Sequence, residues 1–89
     1  MTILSEADNL INGNRQSDYG DPGVNIERIA GMWSAYLGTE VTGEQVCWMM
    51  TMVKASRDLV KSKRDNLVDA AGYLGLIERL GEHGNGGKY

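Results

Sequence analysis

EQVCWMMTMVKASR, residues 44–57, decides the fold. Its first ten residues carry almost no strongly polar side chain on any face, and a helix that is apolar all round must be buried all round. A chain of 89 residues cannot easily wrap such a helix by itself. The sequence therefore predicts an all-α protein: a small four-helix arrangement with one short N-terminal helix and three main helices, its bundle completed by homo-oligomerisation. Thr42 and Gln45 form a capping box that starts the central helix, which is expected to run to about Ser62. Val46, Met49, Met50, Val53 and Val60 make its principal stripe. Cys47, Trp48 and Met52 cover the remaining sides and call for a partner surface, and unbranched methionines suit the seam of a dimer. Past Val53 the helix turns basic, with Lys54, Arg57 and Lys61 spaced three and four residues apart on one side. A solvated face explains that stripe too, since Asp58 stands four residues after Lys54 and could pair with it.

Composition narrows the function. With 42% apolar and 24% charged residues the chain is an ordinary globular domain, and its net charge of −3 argues against general nucleic-acid or anionic-membrane binding. The single cysteine, Cys47, lies in the most apolar run and reads as a small buried hydrophobe. Neither a signal peptide nor a membrane span is visible, and a cytoplasmic location follows by default. One domain is expected over residues 1–81, with a glycine-rich tail over 82–89 that carries His83.

Outward from the central helix, Ile3, Leu4, Ala7, Leu10 and Ile11 have the spacing of an amphipathic helix from about Thr2 to Asn12, stopped by Gly13. Either Thr2 or a Ser5–Asp8 box could cap it. NRQSDYGDPGVN, residues 14–25, is the most distinctive irregular stretch. It reads either as a connection whose Asp18 and Asp21 satisfy local backbone or as a binding loop carrying Arg15, Asp18, Tyr19 and Asp21. Asn25 is placed to cap the second helix, with Val24 and Ile29 as a hydrophobic staple and Glu27 near its positive end. Trp33 and Tyr36 read as core or interface anchors, and Gly38 ends the helix.

Asp65 is placed to cap the fourth helix, which runs to Leu80 before Gly81. Leu67, Val68, Ala71, Leu74 and Ile77 make most of its core side, and Gly72 and Gly75 suggest tight packing or room for a ligand. Asp65, Asp69 and Tyr73 share a face at four-residue spacing. A carboxylate pair one turn apart could hold one Mg2+ with waters completing its octahedron; a polar surface pair explains it equally.

The loop Asp18-Tyr19-Gly20-Asp21-Pro22 with Asn25, the Ala30–Gly38 stretch around Trp33, the Lys54 and Arg57 pair, and Asp65 to Tyr73, DNLVDAAGY, together resemble a family of small phage and prophage proteins. The likeness runs from about Ile3 to Leu80. A more distant resemblance is to the MazG-like all-helical nucleoside triphosphate pyrophosphohydrolases. That resemblance implies dimers or higher oligomers, host-cytoplasmic action if phage-encoded, and carboxylates on neighbouring helices holding Mg2+ against nucleotide phosphates, with metal-activated water releasing pyrophosphate. The match is partial. The family's second acidic motif falls on Asn66 and Asp69, so its aspartate is kept and its glutamate replaced. Its upstream glutamate pair falls on Lys54 and Arg57. A basic pair cannot hold a metal, and only Asp65 and Asp69, with Glu44 or Glu27, could rebuild such a site. Lysine and arginine can instead bind phosphate oxygens directly.

Three functions stay open. The first is a Mg2+-dependent pyrophosphohydrolase in which Asp65 and Asp69 hold metal and act catalytically, Lys54 and Arg57 clamp phosphates, and Tyr19 or Tyr73 borders the base. The second is a non-catalytic protein that captures a signalling nucleotide with the same basic pair and the Asp18–Asp21 loop. The third is an oligomeric protein-interaction module.

Overall fold

The computed structural model describes residues 1–13 and 20–81, and among them the secondary structure is four α-helices with no strand. They are α1 (Ile3–Asn12), α2 (Pro22–Leu37), α3 (Gly43–Val60) and α4 (Arg64–Leu80). The expected tail, with His83, lies outside the described residues, as do Arg15, Asp18 and Tyr19.

Local capping chemistry sets most boundaries. Thr2 caps α1 in a box with Ser5, and Thr42 with Gln45 makes the reciprocal box expected for α3, Gln45 N–H donating to Thr42 Oγ1 at 3.1 Å. α2 and α4 both end on left-handed glycines, Gly38 at φ 72° and Gly81 at φ 74°, a conformation that costs glycine little.

Three starts and ends differ from expectation. α2 begins at Pro22, capped by Asp21 rather than Asn25. Proline fits the first helical position, where its missing N–H is no loss. Asn25 and the Val24–Ile29 staple therefore fall inside the helix, Val24 is exposed, and Glu27 is not at the helix start. α3 stops at Val60, and α4 starts at Arg64 with Lys63 in the cap position and no side-chain cap. Asp65 thus sits in the first turn and does not cap. Asp58 serves that junction from the other helix, its Oδ1 accepting from the Lys63 N–H at 3.0 Å and from Asn66 Nδ2 at 3.1 Å.

The Lys63 amide and then the Asn66 side chain hold the Asp58 carboxyl below its ordinary pKa of 3.8. A depressed carboxyl contributes stability above its unfolded pKa and loses it as pH falls through the folded value. Acid unfolding of Asp58→Asn, followed by helix ellipticity, is expected to show a shallower dependence below about pH 4. An unchanged acid limb would contradict that role.

The core gathers Ile11 of α1, Ile26 and Ala30 of α2, Val41 from the connection, Val46 and Cys47 of α3, and Leu76 and Ile77 of α4. Val41 reaches inward because Ser34 Oγ accepts its N–H at 2.8 Å while donating to the Ala30 carbonyl at 2.6 Å. α4 packs most extensively against α3 and next against α1. It lies between them, so its buried arc is wide: Val68, Gly72, Leu76 and Ile77 are buried, while Leu67 and Leu74, expected in the core, are exposed. At Gly75 a side chain would meet Ile11 Cδ1 at 2.8 Å, which is the close approach expected of these glycines. Around Gly72 a Cβ would meet nothing within 4 Å.

α3 is not covered all round. Its core contacts come from Val46, Cys47, Met49 and Met50 in the first half, whereas Trp48, Met52, Val53, Leu59 and Val60 are exposed. Val53 and Val60 were expected in the buried stripe. Their exposure among the described residues leaves that part of α3 uncovered there, while its first half holds the core contacts.

Candidate functional site

Four of the polar groups expected to carry function, Lys54, Arg57, Asp69 and Tyr73, meet along the seam between α3 and α4. Lys54 Nζ pairs with Asp69 Oδ2 at 3.0 Å, with side-chain exposures of 15% and 37%. The expected local pair with Asp58 does not form, because Asp58 is engaged by Lys63 and Asn66. Lysine here extends its apolar stem through the seam and turns its ammonium to a carboxylate on the next helix. An ammonium has three N–H donors, so one carboxylate oxygen does not exhaust it.

Tyr73 stands one turn after Asp69, half-buried and packed against the core. Burial raises the pKa of its phenol; the charges of Lys54 and Arg57 oppose this, while that of Asp69 adds to it. The phenol is therefore neutral and able to donate across the ordinary pH range. Arg57, one turn after Lys54, is exposed, and its guanidinium makes no ion pair among the described residues.

On the outer side of the same seam lies an open groove of about 350 Å³, lined by Thr51, Lys54, Ala55, Asp58, Leu59, Asn66, Leu67 and Ala70. Thr51, Asp58 and Asn66 were not expected to border a site. Their spacing is legible in hindsight: Thr51, Lys54 and Asp58 share one side of α3, and Asn66 and Ala70 one side of α4.

The remaining candidates are placed elsewhere. Asp21 works on the backbone: Oδ2 accepts from the Val24 N–H at 3.1 Å, and Oδ1 pairs with Arg79. Arg79 also donates to the Ile11 carbonyl at 2.6 Å, tying the end of α1 to the start of α2. Glu27 reaches the start of α3, where its Oε1 occupies the space a methyl on Gly43 would need. Asp65 is exposed in the first turn of α4.

The donors do not suit Mg2+ well. Among the described residues no three metal-ligating side chains gather, and Asp69 already faces an ammonium, which repels a dication. Hard cations want several oxygen ligands, and of the carboxylates described along the seam Asp69 has Lys54 upon it while Asp58 accepts from Lys63 and Asn66.

A family model matches residues 2–81, nearly all of the described chain. The chain belongs to the family described as Domain of unknown function, DUF6378. Among relatives of this DUF6378 chain, the Gene 55 protein of Mycobacterium phage L5 is 45% identical over 82 residues, covering 90% of this chain and 53% of the relative. The Gene 55 protein of Mycobacterium phage D29 is 40% identical over 84 residues, covering 91% and 54%. The DUF6378 chain thus spans about half the length of these two relatives. No solved structure matches. The expected kinship with phage proteins is met, and none of these matches carries a link to the MazG-like enzymes. Among the described residues no helix is long and apolar enough to cross a membrane.

Proposed function

We propose that this DUF6378 chain is a phage nucleotide-handling protein of the host cytoplasm that holds the phosphates of a nucleotide, or a similar phosphorylated small molecule, at the α3–α4 seam. One observation carries the reading: a largely buried lysine, Lys54, is held in place by Asp69 beside the neutral phenol of Tyr73 and the guanidinium of Arg57, which makes no ion pair among the described residues. Asp69 positions the ammonium. Arg57 supplies the planar fork suited to phosphate oxygens, and Tyr73 offers a further donor and an aromatic edge for a base.

The engagement of Asp69 by Lys54, and of Asp58 by Lys63 and Asn66, favours capture over hydrolysis. Hydrolysis is the second reading, with Asp69 and Asp65 recruiting Mg2+ only when substrate phosphates complete the ligand set. Calorimetric titration with nucleoside triphosphates and cyclic nucleotides, with and without Mg2+, separates the two when each mixture is then assayed for pyrophosphate. Metal-independent binding without pyrophosphate is the expected result. Pyrophosphate release that needs Mg2+ would establish the enzyme, and no binding to any nucleotide would contradict both readings.

A further inference from the structure

The seam leaves one large feature unexplained. Trp48, Met52, Ala55 and Leu59 follow one another at intervals of four, three and four residues on α3, which places them within about 60° of one another around the helix. All four are exposed, Trp48 at 43%, Met52 at 60% and Leu59 at 90%. Leu67 of α4, 52% exposed, continues the patch across the groove from Leu59. Solvent does not explain a ridge with three large apolar side chains and no charge.

We infer that the ridge is the seam of a homodimer in which α3 pairs antiparallel with α3 of a second copy. Three features select that occupant. The four-three-four spacing is that of a two-stranded helical seam, and it reads the same in both directions. Antiparallel pairing of identical helices therefore keeps every ridge residue in register: Trp48 of one copy meets Leu59 of the other, and Met52 meets Ala55.

That register sets a large side chain against a small one nearest the two-fold axis, as close helix approach requires. Charge is the third feature. A surface facing its own copy opposes like to like, and the flanking positions Met49, Thr51 and Ser56 are uncharged. Two charges stand at the flanks: Asp58 faces Met49 in this register, its carboxylate already held by Lys63 and Asn66, and Glu44, one turn before Trp48, falls opposite position 63, past the end of the partner's α3. Parallel pairing would instead set Trp48 on Trp48 and bring the two Asp58 side chains to one level.

Sedimentation equilibrium of the full chain tests the inference. The unaltered protein is expected at twice the 9.8 kDa chain mass, and Leu59→Lys at the single-chain mass with unchanged helix ellipticity, since position 59 contributes little to its own fold. A single-chain mass for the unaltered protein at 100 µM, or an undiminished dimer for Leu59→Lys, would overturn the interface. Under oxidation, a mixture of Trp48→Cys and Leu59→Cys chains is expected to cross-link. In the antiparallel register each variant alone keeps its two cysteines about 16 Å apart along the seam. Cross-linking of Leu59→Cys with itself would overturn that register. The inference does not rest on nucleotide binding, and either can fail without the other.

Discussion

Lys54→Met is expected to weaken nucleotide binding about 10- to 100-fold while the helices remain folded. A charge-assisted hydrogen bond contributes about 1.5–3 kcal/mol, which corresponds to that range. The effect has two parts: the ammonium is lost, and Asp69 is left as an unpaired carboxylate facing the incoming phosphate. Methionine keeps the length of the stem that packs through the seam, so the chain should retain its shape. Asp69→Asn is the informative companion. It removes the competing carboxylate while keeping an acceptor for Lys54, so in a capture protein affinity should hold or rise. In a hydrolase the same change should abolish turnover. Its cost in stability should be about 1 kcal/mol or less, since the Asp69 end of the pair is more than a third exposed. Isothermal titration of both variants checks these results, and equal affinity of Lys54→Met and the unaltered chain would remove Lys54 from the site.

Ile77→Ala is expected to be the most damaging conservative truncation. Ile77 is 4% exposed and lies in the core cluster with Val46, Cys47 and Ile26. Removing it leaves a cavity where α2, α3 and α4 meet, at a cost of about 2–5 kcal/mol. Small domains have roughly 5–15 kcal/mol in total, and the shift per kcal/mol is about 4–8 °C at this size. The melting temperature should fall by about 8 °C or more. Leu74→Ala, on the same helix but 41% exposed, should shift it far less. Thermal melts of the pair decide between the observed facing of α4 and the one its sequence suggests, because equal losses would mean that Leu74 is as buried as Ile77.

That contrast marks where sequence reading stops. The Thr42–Gln45 box was legible because a capping box is closed within four residues. So were Gly38 and Gly81, where a helix end demands a left-handed residue. The start of α2 was misread because Asp21-Pro22 and Asn25 are both good start signals, and the choice depends on Arg79 of α4 reaching Asp21. α4 was misread because it packs against two helices, so its buried arc exceeds the single stripe that periodicity assumes, and Leu76 was missed.

The site divides the same way. Lys54, Asp69 and Tyr73 were each legible as functional candidates, but Asp58 satisfied the local four-residue rule for Lys54 so well that the pairing across helices could not be inferred. Where Asp58 goes depends on a turn whose backbone N–H at Lys63 needs an acceptor. The excess of apolar residues on α3 was legible as a demand for a partner. Which of them face outward became visible only when the first half of the helix was seen to hold the core contacts.

The most direct measurement of the central claim is amide and side-chain chemical-shift mapping of isotopically labelled protein during titration with a nucleoside triphosphate, without Mg2+. The largest saturable shifts are expected at Lys54, Arg57, Asp69 and Tyr73, with small changes at Arg79 near the C-terminal end of α4. Shifts confined to residues away from the α3–α4 seam, or none at millimolar nucleotide, would contradict it.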